Sequence, residues 1–80
     1  MRVTIEALGS FRRFLPEGEG STTVELPEGS TVADALDAIG IPRGETWNVG
    51  VGGRLVYAET VLEGGDRLLV FSPISGGSHK

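Results

Sequence analysis

The sequence predicts an α+β fold in which a mixed sheet is covered on one face by a single helix. Three observations carry that expectation. Val3, Ile5 and Ala7 alternate with Arg2, Thr4 and Glu6 at the start of the chain, the period of a half-buried strand. Val32, Ala35, Leu36 and Ile39 recur at helical spacing between a Thr-x-x-Asp start and a Gly-Ile-Pro stop. Arg67 to Phe71 is the most apolar strand-like run, which suggests a central position in the sheet. A chain of 80 residues holds one domain, and its modest core needs the efficient packing of a helix on a sheet.

The elements follow in order. After the first strand, Ser10 to Pro16 reads as a short helical turn, with Ser10 as its cap, Phe11 and Phe14 (or Leu15) on one face and Pro16 as its stop. Residues 17–21 form a polar, glycine-rich loop, expected to be the most mobile internal segment. Thr22 to Leu26 is a second strand, antiparallel to the first, and Pro27 to Ser30 turns out of it. The helix covers about 31 to 39. Thr31 and Asp34 form a near capping box, and Asp34 and Asp37 lie off the apolar stripe toward solvent. Gly40 supplies the left-handed residue after the helix, Ile41 its hydrophobic contact, and Pro42 forbids continuation.

Residues 43–46 are a loop. Residues 47–51 and 54–57 are extended pieces joined by Gly52-Gly53, a tight turn with positive φ. Ala58 to Leu62 is too short for a helix, and Thr60 is placed to cap a single 3₁₀ turn. Glu63 to Asp66 turns into the last strand. A first hairpin, a helix across one face and a last strand parallel to the first make the β-grasp arrangement. It is expected over residues 1–75, with 76–80 as a flexible tail.

Composition excludes several classes of function. No cysteine occurs, so there is no disulfide scaffold, thiol nucleophile or Cys-ligated metal. The first residues alternate and form no continuous apolar run, unlike a targeting peptide, and no stretch approaches the roughly 20 apolar residues of a membrane span. A cytoplasmic protein without a membrane partner is expected. The net charge of −4 argues against nucleic acid as a partner, and the adjacent Arg12 and Arg13 read as a solvated face. His79 is the one histidine, beside the chain end, which leaves no His-based triad or metal cluster. Asp34 and Asp37 read as a solvated helix face. Gly44, Gly50, Gly52 and Gly53 do not match a phosphate loop. The side chains offer no evident means of catalysis, so the chain is not expected to be an enzyme.

Glycine pairs occur at Gly52-Gly53, Gly64-Gly65 and Gly76-Gly77. The first two lie between extended runs, where turns are needed. The third lies beyond the last strand, where no further element needs a turn. Position, not composition, singles it out.

The chain resembles the ubiquitin-like sulfur carriers, the group containing the small subunit of molybdopterin synthase and the thiamine-pathway sulfur carrier. Val24 to Leu36 is similar to that family's second strand, turn and helix start. Val51-Gly52-Gly53-Arg54-Leu55-Val56 matches a segment in which the family usually has Asn where Gly52 stands. Leu62 to Arg67 matches its Leu-x-x-Gly-Asp turn. Ser72-Pro73-Ile74-Ser75-Gly76-Gly77 resembles the Pro-Pro-Val-x-Gly-Gly ending of the molybdopterin branch, and the Gly9 to Ser21 connection between the first two strands, with Phe11 and Phe14, is closer to that branch than to the shorter connection of the thiamine type. Ser78-His79-Lys80 departs from the family pattern, whose working glycine is the last residue. The tripeptide is cut off by a processing peptidase between Gly77 and Ser78, is a cloning remnant, or marks a chain that is never activated.

The resemblance implies a chemistry. An enzyme of the ubiquitin-activating kind, using ATP, adenylates the Gly77 carboxylate, and a sulfur donor displaces AMP to leave a thiocarboxylate. The carrier binds no cofactor itself. It hands the sulfur to an acceptor enzyme such as the molybdopterin synthase large subunit, in molybdenum or tungsten cofactor synthesis. Thiamine synthesis, tRNA thiolation and conjugation to lysines are alternatives, and a non-catalytic β-grasp interaction module is an alternative of another class. Phe71, Pro73, Ile74, Ser75 and Gly76 are the expected partner contacts. The residue types suit that role: glycine threads a narrow channel with φ of either sign, Pro73 stiffens the exit, and Ile74 is an apolar anchor.

Overall fold

The computed structural model describes residues 1–16, 19–42 and 44–73. Five strands form one sheet: β1 (Arg2–Ala7), β2 (Ser21–Glu25), β3 (Asn48–Val51), β4 (Arg54–Val56) and β5 (Arg67–Phe71). A 3₁₀ helix (Gly9–Phe14) and one α-helix, α1 (Val32–Ala38), are the other elements among the described residues. The strand order is β2-β1-β5-β3-β4. β1 pairs antiparallel with β2 and parallel with β5, while β3 is antiparallel to both β5 and β4. The first and last strands are thus neighbours at the centre, as the apolar run of β5 predicted. This is the β-grasp arrangement.

Alternation sorts each central strand into two faces. Val3, Ile5 and Ala7 of β1, Val49 of β3, and Leu68 and Val70 of β5 are buried toward Val32, Ala35 and Leu36 of α1. Phe11, Leu15, Leu26, Ile41 and Leu62 close the margins of this core. Trp47 lies just before β3, half-buried against the core, so the strand is one residue shorter than the sequence suggests. Likewise β4 stops at Val56, leaving Tyr57 exposed.

The helix start is satisfied by two sources. Asp34 N–H donates to Thr31 Oγ1 at 3.3 Å and Thr31 N–H donates to Asp34 Oδ2 at 2.9 Å, a full capping box. A cap of this kind stabilises by about 1 kcal/mol. The other first-turn donors reach backbone carbonyls of the segment expected to form a 3₁₀ turn. Val32 N–H donates to the Thr60 carbonyl and Ala33 N–H to the Ala58 carbonyl, both at 3.0 Å. Residues 58–62 therefore form a strap across the helix start, with Thr31 bridged to Val61. Thr60 closes a turn from its far end, accepting from Tyr57 N–H at 3.0 Å, and caps no 3₁₀ helix. At the other end Gly40 has φ of +89°, and the Ile41 and Gly40 N–H groups donate to the Leu36 and Asp37 carbonyls. That is the double bond pattern of a glycine-terminated helix.

The 3₁₀ helix differs from expectation at its start. Leu8 occupies the cap position with no side-chain bond, because Gly9, at φ +60°, already turns the chain before Ser10. Arg13 is more than a solvated charge. Its guanidinium donates to the Ser10 carbonyl at 2.6 Å, pairs with Glu45 at 3.1 Å and lies 4.4 Å from the Phe14 ring centroid. It ties the 3₁₀ helix to the loop that precedes β3. Of the loop expected to be mobile, residues 17 and 18 lie outside the described residues.

Candidate functional site: the exit of the central strand and the open sheet face

β5 carries the site because it is central and its end is framed on both sides. On one side Leu8 N–H donates to the Val70 carbonyl at 2.9 Å, extending the parallel ladder with β1. On the other, Asn48 pairs with Phe71. Past this frame Ser72 and Pro73 are exposed. The chain therefore leaves the sheet at one defined place. Of the residues expected to act, Phe71 is half-buried at the strand end and Pro73 lies just beyond it. Ile74, Ser75, Gly76, Gly77 and Ser78 lie outside the described residues.

Strand alternation puts Leu69 and Phe71 on the face away from α1. Sheet register fixes their neighbours. Leu69 is paired with Glu6 on one side and Gly50 on the other, and Gly50 is paired in turn with Leu55. A cross-strand row Glu6–Leu69–Gly50–Leu55 results, with Phe71 one step along. Leu55 is 51% exposed, as is Leu8 beside the strand exit. A hollow of about 440 Å³ lies on this face, lined by Leu55, Leu69, Phe71, Gly50, Glu6, Arg54 and Arg67 among others. Arg67 and Glu6 form an ion pair on its rim. Both are substantially exposed, so the pair adds little stability.

Leu55 and Leu69 were not among the residues expected to contact a partner. The signal for Leu69 was present: β5 is apolar on both faces, and a single helix covers only one of them. Leu55 carries no comparable signal, since residues 54–57 read only as a short extended piece. Among the described residues, no group of three or more metal-ligating side chains lies together, and no helix is long and apolar enough to cross a membrane.

A β-grasp domain whose central strand exits beside an uncovered apolar face defines the ubiquitin-like class. Within it, the ThiS family model matches residues 8–77, and the chain belongs to this family of ubiquitin-like sulfur carriers. Among solved structures, a Pyrococcus furiosus protein assigned as molybdopterin converting factor, subunit 1, is 28% identical with a TM-score of 0.71 over 91% of this chain and 98% of that one. Small archaeal modifier protein SAMP1 of Haloferax volcanii superposes with a TM-score of 0.76 over 96% of this chain and all of its own, and at 24% identity it shows the fold alone. In sequence, the protein RnfH of Halorhodospira halophila is 39% identical over 66 residues, 75% of this chain and 68% of that protein. The RnfH of Paraburkholderia xenovorans is 44% identical over 57 residues, 64% of this chain, and the match spans about half of that relative, 52%.

Proposed function

We propose that this protein is a sulfur carrier that works through the α-carboxylate of Gly77. An ATP-dependent enzyme joins that carboxylate to AMP with release of pyrophosphate. Sulfide released by a sulfur donor then attacks the acyl carbon, AMP leaves with the acyl–phosphate bond's electrons, and a thiocarboxylate remains. The observation that carries the proposal is the span of the family match, which runs through the exit of β5 and stops at the second glycine of the pair. Ser78-His79-Lys80 falls outside it and is removed before activation. The partner-facing surface is the open sheet face with Phe71, continued by Pro73, Ile74, Ser75 and Gly76. A rigid strand that delivers a proline-stiffened tail lowers the entropy lost when the tail enters an enzyme. The adenylating enzyme, a sulfur acceptor enzyme and a processing peptidase are the partners, in the cytoplasm where ATP is available.

The destination we assign to the sulfur is molybdenum or tungsten cofactor synthesis, supported by the likeness to the Pyrococcus furiosus protein. A second reading is favoured by the higher identities, 39% and 44%, to RnfH proteins. In it the same domain serves a different acceptor, or acts as an interaction module without sulfur. One experiment separates carrier from module. A chain ending at Gly77, incubated with the adenylating enzyme of its own cell, ATP and a sulfur donor, is expected to show one oxygen replaced by sulfur in its intact mass. No change, with the enzyme proven active on another carrier, would overturn the carrier reading. Retention of a pterin-binding subunit by the thiocarboxylate form supports the cofactor destination, and a covalent adduct on lysine redirects it to protein modification.

A further inference from the structure

β2 forms one margin of the sheet, and the parity of its hydrogen bonds fixes which backbone groups the fold leaves over. Met1 and Leu26 exchange a pair of bonds: the Met1 ammonium donates to the Leu26 carbonyl at 2.6 Å, and Leu26 N–H donates to the Met1 carbonyl at 2.7 Å. In an antiparallel ladder such bonded pairs alternate with unbonded ones. Along the register, Val3 with Val24 and Ile5 with Thr22 are therefore bonded, while Arg2 with Glu25, Thr4 with Thr23 and Glu6 with Ser21 are not. The N–H and C=O groups of Ser21, Thr23 and Glu25 point away from β1. Among the described residues, no turn or cap takes them up.

An unpaired edge is a template for another strand, and the two edges of this sheet differ. β4 has three residues and opens on a charged one, Arg54. β2 has five, with β-branched residues at its centre and its one charge, Glu25, at the end. Its leftover groups also match themselves. Antiparallel pairing of two β2 strands about a two-fold axis at Thr23 sets Ser21 of each copy against Glu25 of the other, and Thr23 against Thr23. Each of these pairs then exchanges both bonds, and no group of the edge is left over. The side chains agree with that register. Glu25, paired with Arg2 at 3.3 Å, meets a serine and not a second carboxylate. Thr4 and Thr23, whose hydroxyls lie 3.5 Å apart, continue across the axis as a row Thr4–Thr23–Thr23–Thr4, a favourable cross-strand arrangement. We infer that the β2 edge is a self-association surface, occupied by a second copy of this chain paired antiparallel through Ser21, Thr23 and Glu25. β1 separates this edge from β5, so the pairing leaves the strand exit open and does not depend on the carrier reading.

A five-residue edge buries far less than the roughly 1,200 Å² of a stable interface, so the association is weak. The test follows the intact chain by sedimentation equilibrium from micromolar to millimolar concentration, with amide hydrogen exchange read at both ends of that range. The apparent mass is expected to climb from one chain toward two. Exchange at Ser21, Thr23 and Glu25, fast when dilute, slows as concentration rises, while Thr22 and Val24 are slow throughout. Thr23→Pro removes an outward N–H that the fold does not use, a place where an edge strand tolerates proline, and returns the chain to a monomer. Thr23→Lys sets two ammonium groups across the axis and weakens association by up to about fivefold. Leu55→Lys, on the other edge, leaves it unchanged. A chain that stays monomeric at millimolar concentration, association untouched by both Thr23 variants or abolished by Leu55→Lys, or protection that rises elsewhere would each overturn the inference. None of these readouts involves activation, so failure here leaves the sulfur-incorporation experiment untouched, and failure there leaves the edge pairing standing.

Discussion

Replacing Gly77 by alanine in a chain ending at residue 77 is expected to reduce the rate of activation by about 100-fold, the cost of displacing a reacting group by roughly 1 Å. The melting temperature is expected to stay unchanged. The two expectations have separate causes. On the proposed carrier reading the carboxylate of residue 77 enters an enzyme and meets the α-phosphate of ATP, and a Cβ on the same residue both widens the tail and removes backbone conformations available only to glycine. The fold, by contrast, closes without it, since the buried core runs from Val3 to Val70. The measurement is pyrophosphate release against carrier concentration, paired with thermal unfolding. A Gly77→Ala chain activated at the normal rate would remove Gly77 from the chemistry, and a large fall in melting temperature would make the tail part of the fold.

The second large effect lies in the core. Phe11→Ala is expected to destabilise the domain by about 3–5 kcal/mol, the cost of emptying the site of a fully buried aromatic ring. Phe11 is 1% exposed and is the largest of the fully buried side chains. It is carried by a short 3₁₀ helix with no side-chain cap, so its burial is what fixes that helix to the sheet. Its ring centroid lies 6.2 Å from that of Phe14, whose half-buried ring has less to lose. Domains of this size are stable by only about 5–15 kcal/mol, so the variant sits near the limit of folding. Urea unfolding is expected to move its midpoint down by about 2 M, with Phe14→Ala moving it much less. Equal, small effects at both positions would mean that the 3₁₀ helix is an appendage and does not frame the strand exit.

How much of this was legible in the sequence depends on whether a feature is written in side chains or in backbone. The alternation of Val3, Ile5 and Ala7 and the stripe of Val32, Ala35 and Leu36 are side-chain patterns, and both elements stand where those patterns place them. The Thr31–Asp34 capping box and Gly40 were readable for the same reason. The strap at residues 58–62 was not. It acts through the carbonyls of Ala58 and Thr60, and a carbonyl is common to every residue type. Ser10 misled because a good capping residue was present, while Gly9 had already begun the turn. The Arg13–Glu45 pair spans 32 positions, and no local pattern announces it.

The candidate site divides in the same way. The glycine pair stood out by position after the last strand. The hollow could not, because Leu69, Gly50 and Leu55 meet only when β5, β3 and β4 are in register. Each residue is unremarkable alone, and sheet order makes them neighbours.

On the carrier reading Gly77 is the working end of the chain, and the intact mass of the protein isolated from its own cells without a tag decides it. The expected result is a chain that ends at Gly77, with a fraction in which sulfur replaces one oxygen. A population that keeps Ser78-His79-Lys80 throughout and carries no sulfur would contradict it.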